Sequence, residues 1–217
     1  MSSSNNHPDY GSTGYWEERY AASDGQAFDW YASYENLQQL IQPFLSKSPD
    51  FEVLIPGCGS STLGPCLYDA GYPNVTNIDI SPVVINQMTN KYKDREEMEY
   101  TVMDARNLEH LPDSCFNLII DKAMFDSQLC SEQNVKNISA VTKEMFRVLK
   151  PGGVYLVFSY GPPANRVSFL GPKGIDWQVE FRKFPKQQSE GSHVLQGTSE
   201  HHYMYICRKA NTAQRAA

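Results

Sequence analysis

Five short runs rich in apolar residues recur between residues 51 and 160, and each ends in polar residues or a turn signal. Runs of this length, bounded in this way, are typical of buried β-strands. The predicted strands are Val53–Ile55, Val75–Ile80, Glu99–Met103, Phe116–Ile120 and Val154–Tyr160. Polar residues follow several of them directly, so the carboxyl ends of the strands are the first place to look for chemistry.

Segments with a helical spacing of apolar residues alternate with these runs. Ser33 and Ser81 are predicted N-caps, Pro82 stands at a first helical position, and Gly71 is predicted to end a helix in the left-handed conformation. The apolar positions predicted to face inward are Leu37, Leu40, Ile41 and Phe44; Leu63, Leu67 and Ala70; Val84, Ile85 and Met88; and Val135, Ile138, Val141, Met145 and Leu149. The last of these helices is predicted to end at Pro151-Gly152-Gly153.

The alternation of strands and helices predicts an α/β fold with a doubly wound, mostly parallel sheet. Two longer runs near the C-terminus, Trp177–Phe184 and His202–Arg208, are separated only by the polar stretch 186–200. That arrangement predicts an antiparallel hairpin, which brings the sheet to seven strands. We expect one domain over residues 13–210, with disordered tails at 1–12 and 211–217.

A glycine-rich turn follows the first strand. Gly57 and Gly59 flank Cys58, and a helix is predicted to begin near Ser61. Glycines here let a ligand approach the backbone, and a helix N-terminus offers free N–H groups, although such turns also serve as plain connections. Asp79 ends the next strand about twenty residues later, where nucleotide-binding folds of this kind place a carboxylate on ribose hydroxyls. The two features together predict a nucleotide-sized site.

An aromatic segment precedes the predicted sheet, with Trp16, Tyr20 and Trp30 among its rings. One interpretation is that these rings cover the edge of the core. The other is that they close over a ligand.

Composition and charge exclude several classes of function. A net charge of −6 argues against a general nucleic-acid or anionic-membrane surface. The five cysteines show no metal-ligand spacing, and no apolar run reaches the ~18 residues of a membrane helix. We therefore expect a cytoplasmic monomer with reduced thiols, no structural metal, and no nucleic-acid or membrane partner.

Five motifs then carry a resemblance to a known family: GCGSS at 57–61, NIDIS at 77–81, MDAR at 103–106, DKAMFD at 121–126 and EMFRVLKPGGVYL at 144–156. In this order they resemble the motifs of class I S-adenosylmethionine-dependent methyltransferases, whose sheet is Rossmann-like. The N-terminal segments YWEERY and DWY, with DISPVVINQM, resemble more narrowly the lysine methyltransferases of elongation factor 1-alpha (eEF1A). The resemblance implies methyl transfer to a lysine of a protein substrate, with S-adenosylhomocysteine as product.

The resemblance also implies roles for individual residues. Gly57 and Gly59 would lie against the methionyl part of the cofactor, Asp79 would bind both ribose hydroxyls, and Ile80 would contact the adenine. Asp104 and the Ala105 N–H would bind the adenine edge. The remaining positions at which relatives contact the cofactor are Trp16, Tyr20, Trp30 and Lys122. Aromatic faces at such positions suit a sulfonium cation.

The chain departs from the motifs of the resembling families at two places. Ile55 stands where the broad class has an acidic residue, and the narrower family also has an apolar residue there. Where the narrower family reads Asp-Lys-Gly-Thr-Leu-Asp, this chain has Ala123, Met124 and Phe125 between Asp121-Lys122 and Asp126. That segment adjoins the place expected for the transferred methyl group, so a small-molecule N-, O- or S-methyltransferase and a cofactor-binding scaffold without activity remain alternatives.

The candidate catalytic residues are Asp121 and Asp126, as a carboxylate pair that orients an amine, although both also fit as caps at strand and helix ends. Cys58 is disfavoured as a nucleophile because no histidine partner is evident. The pair His201-His202 is disfavoured as a metal site because adjacent strand residues point to opposite faces. An NAD oxidoreductase is disfavoured because the turn lacks the third glycine of GxGxxG.

Overall fold

The strands of the computed structural model form one sheet through the centre of the protein. The model describes residues 10–23, 25–131, 133–186 and 200–211. The strands are β1 (Val53–Pro56), β2 (Val75–Asp79), β3 (Met98–Val102), β4 (Phe116–Lys122), β5 (Leu149–Ser159), β6 (Trp177–Pro185) and β7 (His201–Lys209). Their order across the sheet is β3-β2-β1-β4-β5-β7-β6.

Strand directions confirm the predicted class. The pairs β1–β2, β2–β3, β1–β4 and β4–β5 are parallel, whereas β5–β7 and β6–β7 are antiparallel. The C-terminal hairpin therefore closes a mostly parallel, seven-stranded sheet, as predicted. Residues 187–199, which hold most of its polar connection, lie outside the described part of the chain.

Helices cover both faces of the sheet. They are α1 (Thr13–Ser23), α2 (Tyr34–Ile41), α3 (Leu63–Asp69), α4 (Pro82–Lys91), α5 (Met124–Leu129), α6 (Asn134–Val148) and α7 (Val167–Leu170), with short 3-10 turns at Gln42–Phe44 and Pro163–Asn165. The alternation along β1 shows the two layers: Val53 and Ile55 join a core with α2, α3 and α4, and Leu54 joins a core with α5 and α6. Ligand space is thereby left at the carboxyl ends of the strands.

Several local predictions are confirmed. Gly71 follows α3 with φ +82°, and its N–H bonds to the Tyr68 carbonyl at 2.8 Å. Pro82 occupies the first turn of α4, as predicted. Ser33 and Ser81 both stand at the N-cap, but neither side chain makes a capping hydrogen bond, so those two helices begin without the predicted side-chain cap.

Other predictions were wrong in detail. Val135 is 65% exposed rather than inward, because it lies in the first turn of α6, before that helix packs on the sheet. Leu149 already belongs to β5, which therefore begins five residues before the predicted Val154. Helices α1 and α5 were not predicted. The N-terminal tail expected to be disordered stays a prediction, because residues 1–9 lie outside the described part. At its end, the ring centroids of Tyr10 and Trp16 are 5.9 Å apart.

Candidate active site

A cavity of about 730 Å³ opens at the carboxyl ends of the parallel strands, beneath α1 and the segment that follows it. This volume lies within the usual range of about 300–1,000 Å³ for small-molecule sites. All ten residues predicted to bind the cofactor line it: Trp16, Tyr20, Trp30, Gly57, Gly59, Asp79, Ile80, Asp104, Ala105 and Lys122. Of the two predicted catalytic residues, Asp126 lines the cavity and Asp121 does not.

The glycine turn has the conformation that its sequence requires. Gly57 and Gly59 have φ of +61° and +50°, in the left-handed region that side chains avoid. A Cβ added at Gly59 would lie 2.7 Å from the Tyr20 hydroxyl, and one at Gly57 would lie 2.5 Å from the Cβ of Met124. The immediate neighbours of both glycines are therefore side chains of the same protein, which approach the turn closely from α1 and α5.

Asp79 presents a buried carboxylate beside this turn. Its Oδ2 accepts the Gly59 N–H at 2.9 Å and its Oδ1 accepts the Ser81 N–H at 3.0 Å. Burial raises the pKa of this carboxyl, while the backbone N–H groups hold it down. Each oxygen keeps a further lone pair, so the carboxylate is positioned to accept two hydroxyl groups. The residues at this end of the cavity fit a ribose.

Asp104 follows β3 at the rim of the cavity and is paired with a neighbour that the sequence did not single out. Arg106 donates to it from Nη2 at 2.7 Å and from Nε at 2.9 Å. Burial alone would raise the pKa of Asp104, but these bonds outweigh it and the pKa lies below its ordinary value. Ile80 and Ala105 line the cavity on either side of it.

Lys122 is joined to Asp29, a residue that sequence reasoning missed. The Lys122 ammonium donates to Asp29 Oδ1 at 2.6 Å, and the two side chains are only 5% and 15% exposed. Asp29 also accepts the hydroxyls of Ser61 and Thr62 at the start of α3. Burial lowers the pKa of Lys122 and the Asp29 carboxylate partly restores it. The segment after α1 is thereby fastened to both β4 and the glycine turn.

Asp126 lies at the other end of the cavity and is fully bonded. Its Oδ1 accepts Ser159 at 2.7 Å and Arg166 Nε at 2.9 Å, and its Oδ2 accepts Tyr31 at 2.7 Å and the Tyr160 N–H at 3.0 Å. A carboxylate has about four lone-pair sites, so no site is left for a further donor. The Asp126 carboxylate therefore fixes the positions of Tyr31 and Tyr160, whose side chains line the cavity.

Asp121 points away from the cavity. Successive residues of a strand face opposite sides, and Lys122 takes the side that faces the cavity. The Asp121 carboxylate accepts the Tyr155 hydroxyl at 2.9 Å and the Phe125 N–H at 3.1 Å, and the residue is fully buried. Burial raises its pKa to about 7. The structure therefore does not bring Asp121 and Asp126 together as a pair facing a ligand.

Rings from the N-terminal region cover the cavity. Trp16 stacks on Tyr20 with ring centroids 5.8 Å apart, and its Nε1 donates to the Tyr10 carbonyl at 2.9 Å. Phe28, Trp30, Tyr31 and Tyr160 form a continuous row in which neighbouring centroids are 5.2, 6.3 and 6.4 Å apart. We call these four residues the aromatic row. Both predicted roles of the N-terminal rings are compatible with this arrangement, because they pack on one another and also face the cavity.

The disfavoured chemistries find no support in the described part of the chain. Residues 10–23, 25–131, 133–186 and 200–211 contain no cluster of histidine, cysteine and acidic residues that would hold a metal ion. Cys58 is buried, and burial raises its pKa well above the ordinary value, which disfavours the thiolate. None of the helices described is long and apolar enough to cross a membrane.

Comparison with known families identifies the domain. Residues 54–157 match the family Methyltransf_11, described as a methyltransferase domain. The chain carries a class I, S-adenosylmethionine-dependent methyltransferase domain. Solved structures of this class share the fold: a methyltransferase from Methanosarcina mazei has a TM-score of 0.60 at 21% identity, with coverage of 85% of this chain and 100% of that one. The N-methyltransferase NodS from Bradyrhizobium japonicum, in complex with S-adenosylhomocysteine, has a TM-score of 0.63 at 17% identity, covering 94% and 99%.

Two mouse proteins are closer in sequence. EEF1A lysine methyltransferase 4 is 28% identical over 204 residues, which span 90% of this chain and 74% of that protein. The eEF1A lysine and N-terminal methyltransferase is 38% identical over 154 residues, or 70% of this chain. The match spans only 22% of the length of that second relative. The methyltransferase domain is thus similar to proteins named for methylation of eEF1A.

Proposed function

We propose that this protein is a protein-lysine N-methyltransferase that acts on eEF1A. The observation that carries the proposal is the similarity to EEF1A lysine methyltransferase 4, which extends over 90% of the chain and therefore well beyond the family match at residues 54–157. We also propose that the protein acts in the cytoplasm and as a monomer.

The cofactor is proposed to lie along the cavity from the β3 rim towards Asp126. Asp79 would accept both ribose hydroxyls with its two free lone pairs, since its other two are used by backbone N–H groups. Asp104 and the Ala105 N–H would meet the adenine edge, with Ile80 against the ring. The bonds between Arg106 and Asp104 leave that carboxylate 36% exposed, so it can accept one further donor without losing them.

The N-terminal segment that carries Trp16, Tyr20 and Trp30, which we call the cover, is proposed to exclude water from the reacting atoms. Trp16, Tyr20 and Trp30 line one wall, and Lys122 with Asp29 closes the gap between that wall and β4. A dry site strengthens electrostatic interactions and disfavours the charged form of an incoming amine. When bound, the cofactor supplies an electrophilic methyl group on a positively charged sulfur.

The acceptor is proposed to enter at the end formed by Tyr31, Tyr160 and Asp126. Tyr160 is 49% exposed although it lines the cavity, so this end reaches the surface. A lysine amine has an ordinary pKa of about 10.4 and must lose its proton before it can attack. Desolvation between aromatic side chains favours that loss, and the faces of the rings accommodate the unbranched methylenes of a lysine side chain.

Asp126 is proposed to act by holding Tyr31 and Tyr160 in place, because its own lone pairs are filled. Direct orientation of the amine by Asp121 and Asp126 stays a prediction. The position of Asp121 outside the cavity favours Asp126 as the residue of the two that affects the acceptor.

The test is methyl transfer from radiolabelled S-adenosylmethionine to purified eEF1A, with the modified peptide located by mass spectrometry. We expect label in one or more lysines and its loss in Asp79→Asn, while Asp94→Asn, which alters a carboxylate 74% exposed, keeps the activity. Label only in small molecules from a cell extract would replace the protein acceptor with a small one. Absence of any label, with donor binding intact, would indicate a scaffold without activity.

A further inference from the structure

The cations that line the cavity are paired with carboxylates, with one exception. Three cations line it: Arg19, Arg106 and Lys122. Arg106 is bonded to Asp104, and Lys122 to Asp29. Within the described part of the chain, Arg19 has no carboxylate within salt-bridge distance. The cavity therefore holds one guanidinium that forms no ion pair with any of the described side chains.

The position of Arg19 is fixed by aromatic stacking. Its guanidinium carbon lies 4.8 Å from the centroid of Phe28 and 5.6 Å from that of Trp30, the first two residues of the aromatic row. These two contacts are with ring carbons and use no hydrogen-bond acceptor, so the N–H groups of the guanidinium can still donate to a further partner. The N–H edge of a guanidinium is the part that binds a carboxylate in the bidentate manner.

Arg19 also lies on the side of the cavity that contains the glycine turn. Phe28, against which the Arg19 guanidinium lies, donates its backbone N–H to the Ser60 carbonyl at 3.3 Å, and Tyr20, the next residue along α1, brings its hydroxyl to Gly59. That hydroxyl lies 2.7 Å from the point where a Cβ on Gly59 would stand. Arg19 therefore lies near the turn at which the resemblance places the methionyl part of the cofactor.

We propose that Arg19 binds the α-carboxylate of S-adenosylmethionine. The carboxylate is the one negative group of the methyl donor, and Arg19 is the one cation of the described cavity that lacks a negative partner. The three carboxylates that line the cavity, Asp79, Asp104 and Asp126, would repel it. The inference rests on the methyl donor and is independent of the acceptor.

Stacking makes Arg19 a pre-organised partner. The guanidinium is held against Phe28 and Trp30 before the ligand arrives, so little side-chain entropy is lost on binding. A carboxylate at this position would in turn hold α1 and the following segment against the cavity. The same contact thus binds the amino-acid end of the donor and closes the cover.

The test compares two ligands that differ by one group: S-adenosylmethionine and decarboxylated S-adenosylmethionine, titrated by calorimetry into the whole protein. The unaltered protein is expected to bind the first more tightly. Arg19→Gln is expected to weaken binding of the first by about 10- to 100-fold, as for loss of a charge-assisted hydrogen bond, and to leave the second within about twofold. The matched control is Arg95→Gln, which should affect neither ligand. Arg95 lies between α4 and β3, pairs with Asp69 and does not line the cavity.

Each other outcome has a definite meaning. Equal weakening of both ligands in Arg19→Gln would show that Arg19 acts through packing, and would overturn the inference, as would no weakening at all. Arg19→Lys keeps the charge but loses the bidentate edge, so an intermediate loss confined to the carboxylate-bearing ligand supports it even if Arg19→Gln folds poorly. If the unaltered protein binds neither ligand, the cofactor assignment fails with it, a result that is distinct from loss of discrimination.

Discussion

The buried pair formed by Lys122 and Asp29 gives a prediction with a specific pH signature. Asp29→Asn keeps one of the two oxygens that accept the Ser61 and Thr62 hydroxyls and replaces the other with an amide NH₂. The Lys122 ammonium, whose side chain is 5% exposed, loses its counter-charge. Removal of one partner from a buried pair typically costs about 3–5 kcal/mol. We expect the variant to be destabilised by an amount of that order at neutral pH.

The magnitude has an upper bound that depends on pH. An isolated buried lysine can lose its proton instead of remaining charged, and that loss costs about 1.4 kcal/mol for each unit by which the pH lies below about 10.4. The bound is therefore about 4.6 kcal/mol at pH 7 and about 1.9 kcal/mol at pH 9. The sign follows from proton counts: the unfolded variant keeps a proton on Lys122 and the folded variant does not, so its stability rises with pH.

The assay is urea unfolding at pH 7, 8 and 9 for the unaltered protein, Asp29→Asn, Lys122→Met and the double variant. Asp29 is ionised in both states over this range and adds no slope of its own, because its folded pKa lies below the ordinary value. We expect the deficit of Asp29→Asn to shrink by up to about 1.4 kcal/mol per pH unit, and the double variant to show no such slope. A deficit that stays constant from pH 7 to 9 would refute the argument that an uncompensated Lys122 charge causes it.

Three further predictions concern other parts of the structure. Ala123 has φ +83°, a conformation in which a side chain costs about 1–2 kcal/mol. Ala123→Gly should therefore raise the free energy of unfolding by up to about 1 kcal/mol, once the greater backbone entropy of unfolded glycine is subtracted. An unchanged free energy of unfolding in chemical denaturation would contradict this. Burial lowers the pKa of His202 to about 4, so between that pH and about 6.5 the folded state binds fewer protons than the unfolded one. The free energy of unfolding should therefore fall as the pH drops through this range, and His202→Phe should flatten that part of the pH profile. Tyr31→Phe removes one of the four donors to Asp126 and should lower stability in thermal unfolding by about 1 kcal/mol. Asp126→Asn leaves the Arg166 guanidinium unpaired and should lower stability by about 3–5 kcal/mol. Equal losses in the two variants would show that the Asp126 carboxylate does not hold this cluster together.

The sheet and the cofactor end of the site were predictable because their signals are local. A buried strand, a glycine turn and a strand-end carboxylate are each written in a few consecutive residues, and the parallel topology then brings their ends together. Asp79 and Gly59, 20 residues apart, meet through one hydrogen bond at 2.9 Å for that reason. The predicted cofactor-binding residues accordingly line one cavity.

The cover and the acceptor end were less predictable because their contacts join distant segments. Asp29 and Lys122 are 93 residues apart, and Tyr31 and Asp126 are 95 apart. No periodicity or spacing in the sequence indicates which loop residue will meet which strand end. Strand alternation is a local signal, and it separates Asp121 from Lys122: only one of two adjacent strand residues can face the cavity.

The departure from the family motif at Ala123 and Met124 has a physical consequence for the acceptor. Ala123 adopts the backbone conformation that glycine takes without strain, so the turn into α5 keeps its shape although the residue has changed. Met124 then lies against Gly57, where a Cβ would come within 2.5 Å of its own Cβ, and its long, flexible side chain lines the cavity. A threonine at that position would be smaller and would carry a hydroxyl. Because the backbone is retained while the side chain becomes larger and apolar, the substitution changes the cavity wall beside Gly57 without disturbing the glycine turn. We expect any difference in acceptor from the relatives to originate at this side chain.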